Sequence, residues 1–278
     1  MSRNNQDRLG PQVQIDNSPP QETNNQLQFV VPTEFVELPS AGLLYPEGHP
    51  LNGQSEIEIK YMTAKEEDIL TDKVLLKKGI AIDRMMANII VDKKIKPHMI
   101  LSGDRTAIMI AARKSAYGPE YDTKVACPSC FSQGRHTFNL ENTKLKFNSG
   151  EGAAHINEEK HIVVTAPRSK AKLELKLLTG ADERNIIETQ NNNKRLKLPE
   201  SNLITQLRTI IVSVNGNRDR HYVGSFIDVM PAYDSKYIRE IYKKNTPTAE
   251  LKEEYVCGEC GASTEVDVPF TTDFFWPK

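Results

Sequence analysis

Ile57-Glu58-Ile59-Lys60-Tyr61-Met62-Thr63-Ala64 is echoed further along the chain by Leu173-Glu174-Leu175-Lys176-Leu177-Leu178-Thr179-Gly180. Apolar and polar residues alternate in both, as in a half-buried strand. An acidic helix start follows each: Lys65-Glu66-Glu67-Asp68-Ile69-Leu70 in the first, Ala181-Asp182-Glu183-Arg184-Asn185-Ile186-Ile187 in the second. The helix expected over 104–114 has a counterpart over 232–242. Each copy then reaches a cysteine pair, Val125-Ala126-Cys127-Pro128-Ser129-Cys130 and Tyr255-Val256-Cys257-Gly258-Glu259-Cys260. An alternating strand returns after each pair, over 136–140 and 264–268. Four shared motifs in one order predict an α+β fold of internally duplicated strand-helix-strand halves, near 54–148 and 160–278.

Local signals fill in the rest. Thr63 with Glu66 three residues later has the spacing of a capping box, and further helices are expected over 82–91 and 104–115, the latter ended by Tyr117-Gly118-Pro119. Residues 29–53 are too rich in Pro and Gly for a helix, so extended pieces with turns at Ser40-Ala41-Gly42 and Pro46-Glu47-Gly48 are predicted there. Residues 1–28 hold eleven Asn or Gln and five apolar residues. Such a segment buries too little surface to offset its backbone entropy and is predicted to be a disordered arm. A small-residue linker, 149–159, separates the halves. The polar run Thr189-Gln190-Asn191-Asn192-Asn193-Lys194-Arg195 reads as a mobile loop between helices, and Val214-Asn215-Gly216-Asn217 as a turn.

The four cysteines are too few for a disulfide scaffold in 278 residues. Their C-x-x-C spacing instead suits zinc knuckles, in which a tight turn aims two thiolates at one ion. Cys127, Cys130, Cys257 and Cys260 together make the closed four-sulfur set of a structural zinc site. The 126 residues between Cys130 and Cys257 exceed an ordinary ribbon spacing. Duplication resolves this, each half supplying one knuckle to a shared ion in a split four-cysteine zinc ribbon. A redox C-x-x-C would call for a strand-to-helix setting, whereas strands follow here. His136 is either a substitute ligand or an ordinary surface residue on a strand. No phosphate-binding glycine loop, H-E-x-x-H or G-x-S-x-G occurs, so no catalytic residues are assigned. The acidic clusters Glu66-Glu67-Asp68 and Asp182-Glu183 suit the positive end of a helix. Lys93-Lys94 and Arg218-Asp219-Arg220-His221 read as solvated face and polar turn.

Formal net charge is −1, with 38% hydrophobic and 26% charged residues. Neither a polyanion-binding surface nor a basic strip interleaved with aromatics is indicated, which argues against nucleic acid. No apolar run approaches the length of a membrane span, and the start MSRNNQDRLGPQ is unlike a secretory signal. A soluble protein made inside the cell is expected.

Two segments carry a family resemblance. Leu38-Pro39-Ser40-Ala41-Gly42-Leu43-Leu44-Tyr45-Pro46, followed by a strand, Thr63 and Glu66-Glu67-Asp68-Ile69-Leu70, resembles the opening of T4-type bacteriophage baseplate hub proteins. So does Ser115-Ala116-Tyr117-Gly118-Pro119-Glu120-Tyr121 running into the first cysteine pair. The likeness covers roughly 34–147 and reappears at the second pair and Val268-Pro269-Phe270. It implies a non-enzymatic part in building the central hub or spike of a contractile tail, in the virion or transiently during assembly. The protein would be made in the host cytoplasm and would have other baseplate or tail proteins as partners. A tail-assembly chaperone and a zinc-ribbon accessory protein acting on nucleic acid are the alternatives. The C-terminal rings Phe270, Phe274, Phe275 and Trp276 would either cap the chain's own core or, as expected here, dock on a neighbouring hub protein.

Overall fold

The computed structural model describes residues 30–147, 154–197, 202–269 and 272–275. Strand β1 (Thr33–Glu37) pairs antiparallel with β2 (Glu56–Lys60), and alternation along β2 buries Ile57 and Ile59 while Glu56 and Lys60 face out. Thr63 then caps α1 (Ala64–Thr71) in a complete capping box with Glu66. Asp72 starts the short α2 (Lys73–Lys77) by accepting the Val74 and Leu75 amides. Helix α3 (Ala81–Ile89) buries Ala81, Met85, Met86 and Ile89, one face at helical spacing. Its exit residue Ile90 bridges to Ile59. Helix α4 (Ser102–Tyr117) ends at Gly118, whose φ of +84° is open to glycine. A hairpin follows, β3 (Glu120–Ala126) with β4 (Gln133–Asn139), then the short β5 (Lys144–Lys146).

Strand β6 (His155–Ile156) lies in the stretch expected as linker, where it pairs with β7 (Ile162–Thr165), and β8 (Lys172–Leu175) follows. After α5 (Gly180–Arg195) and α6 (Asn202–Ile210), β9 (Ile211–Val214) completes an antiparallel sheet in the order β6-β7-β8-β9. Then come α7 (Arg220–Val229), α8 (Ala232–Asn245) and β10 (Thr248–Glu250), and finally the hairpin of β11 (Lys252–Val256) with β12 (Ser263–Asp267). No helix among the described residues is long and apolar enough to cross a membrane.

Several features occur twice in corresponding places. Thr179 and Asp182 make a second capping box, at the start of α5. Leu175 pairs with Ile211 as Ile59 pairs with Ile90. Asp104, third residue of α4, is fully buried and accepts the Ser40 amide (2.9 Å), the Ser40 hydroxyl (2.6 Å) and the Tyr45 hydroxyl (2.7 Å), tying down the loop after β1. Asp234, third residue of α8, is likewise buried and accepts the Arg168 and Ser169 amides, both at 2.8 Å, in the turn after β7. The two cysteine hairpins share one register, Ala126 opposite Gln133 and Val256 opposite Ser263.

The halves also reach into each other. Strand β5, after the first hairpin, pairs with β10, before the second. The turn 272–275, after the second hairpin, returns to the start of the first: the Phe274 ring meets Tyr121 edge-on at 5.0 Å, and the buried Arg113 donates from Nε to the Phe274 carbonyl at 2.8 Å. A bridge between Leu101 and Thr179 joins the starts of α4 and α5. Residues 32–278 accordingly form one compact unit, and buried residues from both halves make one continuous core.

Three expectations are corrected. Phe274 and Phe275, expected to dock on a partner, are 1% and 3% exposed within the chain's own core; Phe270 and Trp276 lie outside the described residues, as do 1–28 and residues 149–153 of the expected linker. The polar run 189–195 is not a loop but the C-terminal half of α5, propagated from the capped start, with Lys194 and Arg195 at the negative end of the helix. Lys93 is not merely solvated. Its ammonium donates to the carbonyls of Ala87 (2.8 Å), Asn88 (3.1 Å) and Ile90 (2.6 Å), closing the end of α3.

Candidate metal centre

The turns of the two cysteine hairpins are built alike. In the first, the Cys127 amide donates to the Ser132 carbonyl (2.9 Å) and the Phe131 amide to the Cys127 carbonyl (2.8 Å). In the second, Cys257 donates to Ala262 (3.0 Å) and Gly261 to Cys257 (2.9 Å). Both turns need a left-handed residue at the same point, filled by Gly261 at φ +69° and by Phe131 at φ +60°. The first cysteine of each pair, Cys127 and Cys257, is buried, and the second, Cys130 and Cys260, is exposed.

The hairpins meet on their inner faces. Gly134 leaves room for Tyr255, whose Oη would lie 1.9 Å from a Cβ at that position. His136 stacks edge-on against Tyr255 and Phe138, with Nε2 3.3 Å from the Glu253 carboxylate. It does not join the sulfurs, and it is not a surface residue either: it lies on its strand's inner face, packed between the hairpins. Glu253 also accepts the Asn139 amide at 2.9 Å.

This packing brings all four sulfurs within 4.8 Å of one another, Cys127 to Cys260 and Cys130 to Cys257 at 3.7 Å. Zinc–sulfur bonds of about 2.3 Å in a tetrahedron imply sulfur–sulfur edges of about 3.8 Å, so the donor set fits such an ion. The electrostatics agree. The Ser132 hydroxyl, 3.2 Å from Cys257 Sγ, with the Cys260 and Glu259 amides, pulls the Cys257 thiol down to about 5. The Ala262 amide favours the Cys260 thiolate too, but the neighbouring cysteine sulfurs outweigh it and push that thiol up to about 12. A cation among the four sulfurs would offset their mutual repulsion as thiolates. Ser132, also 3.0 Å from Cys130 Sγ, was not singled out from sequence, where only its place two residues after a cysteine could have marked it.

Two other polar groupings are already held by ion pairs. Glu159, His161 and Glu174 lie close enough to share a metal, but Arg218 already bridges both carboxylates, at 2.6 and 3.1 Å. A cleft of about 680 Å³ beside α6 and α7 carries the pairs Lys176–Asp182 at 2.6 Å and Arg208–Asp228 at 2.8 Å.

The family model of the T4 bacteriophage base plate protein matches residues 34–276. The chain belongs to that family. Base plate membership makes it a structural component of a phage tail, interacting with other base plate proteins. The match spans both hairpins and all four cysteines. No curated protein and no solved structure matches the chain.

Proposed function

We propose that this base plate protein is a non-enzymatic structural and assembly component of the central hub, in which one zinc ion held by Cys127, Cys130, Cys257 and Cys260 staples two duplicated halves. The match over 34–276 carries the base plate reading, and the resemblance of the loop at 38–46 to hub proteins supports the hub. The cluster of four sulfurs supports the zinc. The paired capping boxes, the paired aspartates and the shared hairpin register support the duplication. The protein acts through contacts with other base plate or tail proteins. A structural ion with four protein ligands leaves no open position for a substrate, and no small molecule, nucleic acid or membrane is required.

Quantitative mass spectrometry of purified virions and of tail-assembly intermediates tests the reading. The chain is expected in both. Presence in intermediates alone would make it an assembly chaperone, and absence from both would overturn the proposal.

A further inference from the structure

The outward faces of the two cysteine hairpins carry opposite charge at matching positions. In the first, Lys124 lies directly across from Arg135, and both are exposed. At the same register of the second, Glu254 lies across from Glu265, again both exposed. Like charges directly opposite each other destabilise a strand pair. Among the described residues, no salt bridge holds any of the four; Glu254 is relieved only by the Ser263 hydroxyl and Glu265 only by the more distant charge of Lys146. The hairpins meet through their inner faces, by Gly134, His136, Glu253 and Tyr255. Their outward faces therefore point away from each other, and a single chain cannot bring the cations onto the anions.

Apolar residues accompany each charge pair. Val256, beside Glu254, is 63% exposed, and Phe131, in the first knuckle, is 79% exposed. Phe131 holds the left-handed conformation that Gly261 supplies in the twin knuckle. A bulky side chain pays strain there, of order 1–2 kcal/mol, with its ring in solvent; such outliers collect where a surface is used.

We propose that the outward face of β3–β4 in one copy docks on the outward face of β11–β12 in a second copy, joining copies head to tail. Lys124 and Arg135 meet Glu254 and Glu265, and the apolar residues pack alongside. The contact is heterologous, so successive copies close into a ring or continue as a filament. This goes beyond the hub assignment and does not depend on it.

Sedimentation velocity on the full chain over a concentration series, at low and high salt, is the test. The wild type should self-associate, less so at high salt. One variant carries Lys124→Glu with Arg135→Glu, another Glu254→Lys with Glu265→Lys. Each preserves a like-charge pair in place, so unchanged thermal melts confirm that both still fold. Each alone should associate at least about tenfold more weakly, and an equimolar mixture should regain association, because each then offers the face the other needs. A monomeric wild type, variants that associate as the wild type does, or a mixture that stays monomeric would each overturn the proposal.

Discussion

Asp104 and Asp234 show how the same residue in corresponding places is tuned to opposite electrostatic ends. Burial pushes the Asp104 carboxyl above its ordinary value, and the donors from Ser40 and Tyr45 offset this only in part. At Asp234 burial also opposes ionisation, but the Ser169 and Arg168 amides outweigh it and hold the carboxyl below its ordinary value. An unfolded aspartate titrates near 3.9. The contribution of Asp234 is therefore full above about pH 3.9 and is lost as pH falls through its lowered folded value. Asp104 has the reverse sign: its contribution is full below about pH 3.9 and is lost as pH rises through its raised folded value. Chemical denaturation between pH 3 and pH 7 should show Asp234→Asn destabilising most at pH 7, by roughly 1–3 kcal/mol. Asp104→Asn should instead destabilise more at the acid end. Parallel trends for the two variants would contradict the assignment. At the same scale Thr63 and the four cysteines were legible from spacing alone, because a capping box and a knuckle are closed by residues within a few positions. Ser132 and Lys93 were not, since an isolated Ser or Lys takes its role from whichever atoms the fold brings near it.

Among the elements, the C-terminal turn at 272–275 is where sequence and structure part most clearly. Its aromatic residues, flanked by Pro269 and Pro277, read as a docking tail because nothing local reveals what they pack against. Their partners, Tyr121 and Arg113, lie about half the chain away. Truncating Phe274 to Ala should cost about 3–5 kcal/mol, the usual loss for a buried phenylalanine, read as a lowered melting temperature. A smaller loss at a surface phenylalanine such as Phe35, 64% exposed, serves as the control. An unchanged melt for Phe274→Ala would restore the docking reading. Helix α5 teaches a related lesson. Asn and Thr are mediocre helix formers, so Thr189–Arg195 reads as loop in isolation. Once the Thr179 box has nucleated the helix, each further residue adds a hydrogen bond, and cooperativity overrides the weak preference.

Over the whole molecule, the two halves are tied by exchanged segments at both ends of the hairpins and by the four sulfurs between them. Replacing Cys257 with Ser should abolish binding of the proposed zinc and loosen both hairpins together, because the ion joins segments 126 residues apart. Elemental analysis should find one zinc per wild-type chain and none in the variant, and hydrogen exchange should speed up in β3–β4 as well as β11–β12. A metal-free wild type, or loss of protection in the second hairpin alone, would sink the shared site.

By itself the sequence determined the alternating strands at 57–61 and 173–177, the capping box at Thr63, and the C-x-x-C turns. Alternation, helical spacing, capping boxes and knuckles are patterns over two to about ten residues, set by backbone geometry that every copy of the pattern obeys. Only the tertiary structure decided that β5 pairs with β10, that Phe274 packs on Tyr121, and that Arg113 closes on a carbonyl 161 residues away. Burial has no direction along the chain. An apolar ring is driven out of water equally by any surface that will cover it, and which surface reaches it first and fits it best is a property of the folded shape.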